Sequence, residues 1–226
     1  MHMRGMIFDL DGTLVDSLAG IAAATNHALN EMNYPQHPLS AIRQFVGNGA
    51  RTLLRRAAPS SAEENDLMAL EQFFKAAYAC SWQDGTQVYP GIYEIIDACR
   101  ARKLSLAVLS NKPDIFTQEM VEYFFPHAAF DSVMGHRVSF PHKPDPASAL
   151  ETARRMKCAP SDCVIIGDST MDVETAQNAG MGAIAVTWGF HDREKLSASG
   201  AKLIFDAPHQ LQQWIKDSAS LNLLAN

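Results

Sequence analysis

Two aspartates separated by a single residue, Asp9 and Asp11, follow a short apolar run near the beginning of the chain. The run is typical of a β-strand and Gly12 turns the backbone after it, so both carboxylates can emerge at the carboxyl end of the strand. Open α/β sheets bind ligands beyond this end, where paired carboxylates repel each other unless a cation or a proton intervenes. The pair therefore predicts a chemical site, although an ordinary Asp-Gly turn would show the same local pattern.

Two further segments place polar groups between a strand and a helix or at the start of a helix. Ser110 and Asn111 end an apolar strand, where a hydroxyl, an amide and free backbone N–H groups at a helix start can cradle a phosphate. Lys143 precedes the helix start that Asp145 and Pro146 predict, and its ammonium could meet a phosphoryl oxygen. Taken singly, these segments also fit an ordinary helix cap and a surface lysine.

A fourth segment ends another apolar strand at Asp168 and continues into a helix that carries Asp172. If this helix begins near Ser169, the two carboxylates lie on one face. Together with Asp9 they form a cluster of hard oxygen ligands, which suits magnesium. Zinc would favour histidine or thiolate ligands, and these segments contain neither. The sequence therefore predicts Mg2+ as the cofactor.

The elements around these segments alternate between short β-branched runs and helical patterns. Near-continuous apolar strands indicate a parallel sheet that is covered by helices on both faces. We therefore expect the α/β class, with a doubly wound, Rossmann-like parallel sheet as the core. The predicted strands span residues 4–10, 104–110, 163–168, 183–187 and 202–205, and the predicted helices of the core span residues 114–125, 172–179 and 209–217.

The segment between Asp16 and about Gln87 lacks the strand pattern and carries apolar residues at helical spacing. It predicts a small all-helical cap domain, residues 16–87, inserted after the first strand of a catalytic core formed by residues 1–15 and 88–226. Residues 61–64, Ser-Ala-Glu-Glu, have the form of a capping box that begins the last long helix of the cap. Short Gly- and Pro-containing connections join the two domains and could act as hinges.

Composition limits the classes of function. The 226 residues are 47% hydrophobic, enough for a full core, and the net charge of −6 offers no basic footprint for nucleic acid. No apolar stretch approaches the roughly 20 residues that a membrane span requires. The four cysteines form no Cys-x-x-Cys pair, which favours reduced thiols. We expect a soluble, cytoplasmic monomer or homodimer that binds neither nucleic acid nor membrane.

The order of these segments, Asp-Leu-Asp-Gly-Thr, Ser-Asn, Lys-Pro and Gly-Asp-Ser-x-x-Asp with a helical insert after the first, resembles the haloacid dehalogenase superfamily. The resemblance covers essentially the whole chain. Dehalogenases lack the second aspartate of the first motif, so Asp11 points to the phosphotransferases of the superfamily. Residues 45–51, Phe-Val-Gly-Asn-Gly-Ala-Arg, are similar to phosphoglycolate phosphatases, as are Asp-Gly-Thr-Leu-Val-Asp-Ser and Ser-Asn-Lys.

The resemblance implies a Mg2+-dependent phosphomonoester hydrolase that forms an aspartyl phosphate. Asp9 would attack the phosphorus, and Asp11 would protonate the departing alkoxide and then deprotonate the attacking water. The other implied roles are metal binding by Asp9, the backbone carbonyl of Asp11 and Asp168; binding of phosphoryl oxygens by Ser110, the Asn111 amide and Lys143; and ordering of a metal-bound water or of Lys143 by Asp172.

The cap would select the substrate, a small anionic phosphate ester, because the four core motifs recognise only phosphate and metal. Gly47, Asn48 and Gly49 can present backbone N–H groups to a substrate carboxylate such as that of 2-phosphoglycolate. Arg51, or the pair Arg55-Arg56, could add positive charge. A helix–turn–helix bend with a solvated basic face would show the same pattern.

Several alternatives remain open at this stage. They are a phosphatase for pyrophosphate, a sugar phosphate or a nucleotide, a mutase like β-phosphoglucomutase, and a phosphoacceptor or binding module without enzymatic activity. Receiver-like modules carry no acid two residues after the phosphoacceptor, so Asp11 favours turnover. Lys112 is not a Walker lysine, because no Gly-x-x-x-x-Gly-Lys precedes it, and the sequence assigns it no role.

Overall fold

The computed structural model describes residues 3–217. The chain divides into two compact units, one with residues up to Leu14 and from Val88 on, the other with Val15–Gln87. The strands are β1 (Gly5–Phe8), β2 (Val15–Asp16), β3 (Gln87–Val88), β4 (Ser105–Pro113), β5 (Ser132–His136), β6 (Cys163–Gly167), β7 (Gly182–Val186) and β8 (Leu203–Phe205). The α-helices are α1 (Leu18–Glu31), α2 (Leu39–Phe45), α3 (Ala50–Ala57), α4 (Glu64–Ser81), α5 (Ile92–Ala101), α6 (Asp114–Phe124), α7 (Ala147–Arg155), α8 (Thr170–Asn178), α9 (Arg193–Ala198) and α10 (Pro208–Lys216).

The first unit is built on a six-stranded sheet with the order β5-β4-β1-β6-β7-β8. All neighbouring strands are parallel, and Phe8 at the end of β1 lies between Val108 of β4 and Ile166 of β6. Because β1 is central and the later strands extend to either side of it, the strand order reverses beside β1, where α/β sheets bind their ligands. The predicted α/β class with a parallel sheet is confirmed.

Helices cover both faces of this sheet, as two successive residues of β1 show. Ile7 belongs to a buried apolar cluster with Ala149 of α7 and Ala176 of α8. The sulfur of Met6, which points to the opposite face, lies 3.2 Å from the Cys99 Sγ of α5. Both residues are fully buried. Strand β1 is therefore packed against apolar side chains on both faces, and the polar side chains of Asp9 and Ser110 lie at the carboxyl edge of the sheet.

Strand β5 is absent from the sequence prediction, and β4 is longer than predicted. The segment of β5 is short and contains Gly135, which weakens a strand pattern. The structure explains this glycine: a Cβ atom there would collide with the Thr117 hydroxyl and with backbone atoms of Asp114 and Lys112. The register of β4 against β5 shifts between Leu109 and Pro113, so β4 continues through the polar residues that the sequence places beyond its end.

The second unit contains helices α1 to α4. Helix α1 buries one apolar stripe and α4 buries another, and the two helices pack against each other. Helix α4 begins two residues later than Ser61 suggests, because Glu63 is its N-cap and forms a capping box with Asp66. The short strands β2 and β3 pair where the chain passes between the units. Among residues 3–217, no helix combines the length and the apolar character needed to cross a membrane.

Candidate active site

Asp9 follows β1 directly, and its backbone N–H donates to the carbonyl of Ile166 in β6 at 2.9 Å. The carboxylate turns back on its own backbone, where Oδ1 accepts the N–H of Leu10 at 2.7 Å. The residue is buried. The end of the central strand therefore holds this carboxylate in one place, as a nucleophile requires.

Lys143 reaches the same point from the loop before α7. Its Nζ lies 3.0 Å from Asp9 Oδ1 and 2.6 Å from Asp172 Oδ1, and it donates to the carbonyl of Leu109 at 3.1 Å. Burial by itself would lower the pKa of Lys143, but the carboxylates of Asp172 and Asp9 outweigh it and raise the pKa. The lysine is therefore a fixed positive charge inside the site.

Asn111 fixes the backbone that carries Lys143. Its Oδ1 accepts the N–H of Lys143 at 2.8 Å, and its Nδ2 donates to the Lys143 carbonyl at 3.2 Å. Sequence reasoning placed the Asn111 amide against phosphoryl oxygens. In the structure the side-chain amide makes these two contacts with Lys143, and a contact between Asn111 and a phosphoryl oxygen stays a prediction.

Asp172 lies in the first turn of α8, where it forms a capping box with Ser169. Its Oδ2 accepts the Ser169 hydroxyl at 2.6 Å and the Ser169 N–H at 3.1 Å, while Oδ1 faces Lys143. A Cβ atom on Gly167 would collide with this carboxyl group. The helix cap and the glycine together allow Asp172 to approach the end of β6, as the Gly-Asp-Ser-x-x-Asp spacing predicts.

Asp168 is the third buried carboxylate of the cluster. It accepts the Thr13 hydroxyl at 3.1 Å and the N–H of Phe190 at 2.7 Å. Gly12, in the left-handed region at φ +85°, and Gly189 press against it so closely that a Cβ atom on either would collide with its carboxyl group. The turns after β1 and β7 therefore enclose Asp168 with backbone.

Oxygen atoms of Asp9, Asp168 and Asp172 lie within 4.8 Å of one another. Lys143 contacts Asp9 and Asp172, whereas Asp168 accepts bonds from neutral donors, so the negative charge of the cluster exceeds this nearby positive charge. A divalent cation with oxygen ligands would balance the excess. The three carboxylates therefore offer a donor set that fits Mg2+, because Lys143 compensates only part of their negative charge.

The pKa values of two of these acids are raised, mainly by burial and in part by the neighbouring carboxylates. Burial raises the pKa of Asp9 to about 7, against the opposing charge of Lys143, and the Asp172 and Asp11 carboxylates add to the shift. Burial also raises the pKa of Asp168 well above its ordinary value, and the carboxylates of Asp9 and Asp172 contribute. Without a cation, burial therefore opposes the ionisation of both acids.

We expect the free energy of unfolding of the metal-free protein to fall as the pH rises from 3.8 to about 7. These are the ordinary and folded pKa values of Asp9, so between them the folded chain holds a proton that the unfolded chain has lost. Urea unfolding in EDTA at about pH 5 and about pH 7.5 measures the difference. Asp9→Asn should reduce the difference in the free energy of unfolding between the two pH values. An unchanged difference in this variant would show that Asp9 does not cause the pH dependence.

Asp11 contacts a lysine to which sequence reasoning assigns no role. Lys112 Nζ lies 3.0 Å from each carboxylate oxygen of Asp11, and the Lys112 side chain is 5% exposed. A signal was present: Ser110 and Lys112 are two residues apart, so they share a side of the strand if β4 continues past Ser110. The buried hydroxyl of Ser110 accepts the N–H of Lys112 at 3.3 Å.

The predicted cap residues belong to the second unit. Gly47 and Gly49 have φ values of +122° and +83°, which favour glycine, and Gly49 is the N-cap of α3. Arg51 is bound by Glu64 and, at 2.6 Å, by Glu71. Gly47, Asn48 and Gly49 lie in the loop between α2 and α3, Arg51 lies in the first turn of α3, and their role in substrate choice stays a prediction.

The two other candidate arginines of the cap also have partners in this unit. Arg55 contacts Glu64 at 3.1 Å. Arg56 donates to the Phe45 carbonyl at 2.9 Å and to Asn48 Oδ1 at 2.9 Å. Arg56 therefore braces the loop of Gly47, Asn48 and Gly49 from one side.

Comparison with known proteins agrees with this arrangement. A family model described as haloacid dehalogenase-like hydrolase matches residues 6–186. A phosphoglycolate phosphatase of Pseudomonas putida is 32% identical over 99% of this chain and 84% of its own length. One of Psychrobacter arcticus is 34% identical over 84% of this chain and 86% of its own. The crystal structure of a protein from Lactobacillus delbrueckii subsp. bulgaricus has a TM-score of 0.88 at 31% identity, covering 95% of this chain and 99% of that one.

Proposed function

Since this chain belongs to the haloacid dehalogenase-like hydrolases, we propose that it is a Mg2+-dependent phosphomonoester hydrolase that acts through an aspartyl phosphate. The observation that carries the proposal is the contact of Lys143 with Asp9 and Asp172 beside Asp168 at the carboxyl edge of the sheet. A fixed ammonium next to a strand-end carboxylate provides a nucleophile together with a partner for a phosphoryl oxygen.

In the first half of the reaction, Asp9 Oδ attacks phosphorus and the bond between phosphorus and the ester oxygen breaks. The carboxyl group of Asp11 gives its proton to that oxygen, so the alcohol leaves neutral. In the second half, Asp11 takes a proton from water as the water oxygen attacks phosphorus. The bond between phosphorus and Asp9 then breaks, which releases inorganic phosphate and restores both side chains.

Binding of the phosphoryl group falls to donors at the ends of β4 and before α7. Lys143 Nζ, the hydroxyl of Ser110 and the Asn111 amide would hold its oxygens. Asp172 keeps Lys143 aimed at Asp9, because it binds the same ammonium from the other side. Mg2+, held by Asp9, Asp168 and the Asp11 carbonyl, would supply the charge that lets a carboxylate approach a phosphate dianion.

We propose 2-phosphoglycolate as the substrate. The support is that relatives of this chain in Pseudomonas putida and Psychrobacter arcticus carry the name phosphoglycolate phosphatase. The carboxylate of this substrate needs donors, and the loop of Gly47, Asn48 and Gly49 offers backbone N–H groups. Arg51 shares its charge with two glutamates, so the loop backbone is the first candidate and Arg51 the second.

Phosphate release from a panel of esters tests the proposal. The panel contains 2-phosphoglycolate, pyrophosphate, nucleotides, sugar phosphates and phosphoserine, each with Mg2+ and with EDTA. We expect 2-phosphoglycolate to dominate, EDTA to abolish release, and added Mg2+ to restore it. A preference for another ester would keep the chemistry and reject the substrate. Release that persists in EDTA would reject the metal, and no release from any ester would reject the hydrolase.

Arg51→Ala is expected to raise the KM for 2-phosphoglycolate about 5- to 10-fold and to leave the KM for p-nitrophenyl phosphate nearly unchanged, as for the loss of one ordinary hydrogen bond by an arginine whose charge is already shared with two glutamates. The second ester has no carboxylate for Arg51 to meet. Arg154→Ala is the matched control, because Arg154 is an exposed arginine paired with Glu151 at 2.7 Å in the first unit. Equal KM changes for both esters would remove Arg51 from substrate choice.

A further inference from the structure

Lys112 is a buried cation that the mechanism above does not use. Its Nζ lies 3.0 Å from each of the two carboxylate oxygens of Asp11, and the Lys112 and Asp11 side chains are 5% and 12% exposed. Lysine is almost never buried to this degree without a partner. Contact with both oxygens also restrains rotation of the carboxylate, which contact with one oxygen would allow.

The backbone around Lys112 restrains the lysine in turn. Its N–H donates to the Ser110 hydroxyl at 3.3 Å, and its carbonyl accepts the Thr117 hydroxyl of α6 at 3.3 Å. On the side of β5, Gly135 packs so closely against the same carbonyl that a Cβ atom on residue 135 would collide with it. Lys112 is therefore anchored by β4, α6 and β5 together, whereas Asp11 lies in the turn that follows β1.

We propose that Lys112 is a positioning residue that holds the Asp11 carboxyl group in the orientation for proton transfer to the ester oxygen. This inference rests on the proposed function, in which Asp11 gives a proton to the leaving alcohol and later takes one from water. In this role Lys112 exchanges no proton in either step. Lys112 affects the rate only because it holds the Asp11 carboxyl group in position.

The orientation of the Asp11 carboxyl group matters most for an ester whose leaving group needs a proton in order to depart. An alkoxide such as that of glycolate is a poor leaving group and departs only with a proton, whereas p-nitrophenolate departs without one. A displacement of about 1 Å in a catalytic group can cost about 100-fold in rate. Loss of Lys112 should therefore slow the hydrolysis of 2-phosphoglycolate far more than that of p-nitrophenyl phosphate.

The experiment compares the wild type, Lys112→Met, Asp11→Asn and the double variant on both esters in Mg2+, with kcat/KM from the release of the alcohol. This ratio reports the steps up to the departure of the leaving group. We expect Lys112→Met to lose about 100-fold on 2-phosphoglycolate and less than about 10-fold on p-nitrophenyl phosphate. In the Asp11→Asn background, removing Lys112 should have no further effect on 2-phosphoglycolate.

The double variant also guards against failure of the fold. Lys112→Met leaves the Asp11 carboxylate buried without its lysine, but the double variant removes both charges and should fold. Equal losses on both esters in Lys112→Met would overturn the proposal, because Lys112 would then support the fold or the phosphate site. A further loss in the Asp11→Asn background would also overturn it, since Lys112 would then meet the substrate directly.

Two measurements, on the wild type and on Asp11→Asn, distinguish a failure of this inference from a failure of the proposed function. If the wild type releases phosphate from neither ester, the hydrolase assignment fails and the inference fails with it. If Asp11→Asn keeps wild-type activity on 2-phosphoglycolate, the role of Asp11 fails and leaves Lys112 nothing to position. If both measurements give the proposed result but Lys112→Met loses equal activity on the two esters, the inference about Lys112 alone is wrong.

Discussion

Asp9→Asn is expected to abolish phosphate release, with a loss of at least about 10,000-fold, while the fold is retained. The amide cannot attack phosphorus and is a poor ligand for Mg2+. The substitution keeps the shape of the side chain and removes a carboxylate whose pKa is raised to about 7, so metal-free stability at neutral pH should not fall. Steady-state phosphate release and thermal unfolding in EDTA measure the two effects.

Asp131→Asn is the matched control for this variant. Asp131 accepts the N–H of Leu106 at 3.0 Å, much as Asp9 accepts the N–H of Leu10, but it directly precedes β5, at the amino edge of the sheet. The control should keep full activity. Retained turnover in Asp9→Asn would reject an aspartyl phosphate on this residue.

Lys143→Met is expected to lower kcat/KM by about 100- to 1,000-fold and the free energy of unfolding by about 3–5 kcal/mol. The ammonium contacts Asp9 at 3.0 Å and Asp172 at 2.6 Å, so its loss leaves two buried carboxylates without their cation. Phosphate release in Mg2+ gives the first quantity, and urea unfolding in EDTA gives the second.

A second substitution separates the catalytic role of Lys143 from its role in stability. In Lys143→Met/Asp172→Asn, one of the stranded carboxylates becomes neutral, so part of the lost stability should return while activity stays low. The amide oxygen introduced by Asp172→Asn would still be able to accept a bond from Ser169 at the start of α8. A stable and active Lys143→Met would show that the ammonium does not bind the phosphoryl group.

The carboxyl edge of the sheet could be predicted because its signals are local. Asp9, Ser110 and Asp168 each follow an apolar run, and parallel strands bring their carboxyl ends to one edge whatever their separation in the sequence. The same reasoning predicts the sheet itself. Strand β5 was missed because Gly135, which the packing against α6 requires, interrupts its pattern.

Pairings between distant residues could not be predicted in this way. Asn111 faces the backbone of Lys143, which is 32 residues away, and Lys112 faces Asp11 across 101 residues. Spacing indicates which side chains can reach an edge but not which of them meet, because several donors compete for each acceptor there. The partners of Arg51, Glu64 and Glu71, were missed for the same reason.

The glycines that pack against the buried carboxylates limit which substitutions this chain can accept. Gly12, Gly167 and Gly189 each lie where one added carbon would strike Asp168 or Asp172. A scan that replaces side chains by alanine usually removes atoms, but at these positions alanine adds one. At Gly47, by contrast, an added carbon meets nothing within 4 Å, and only the φ of +122° opposes a substitution. The places where this protein tolerates the least change therefore include residues with no chemistry of their own.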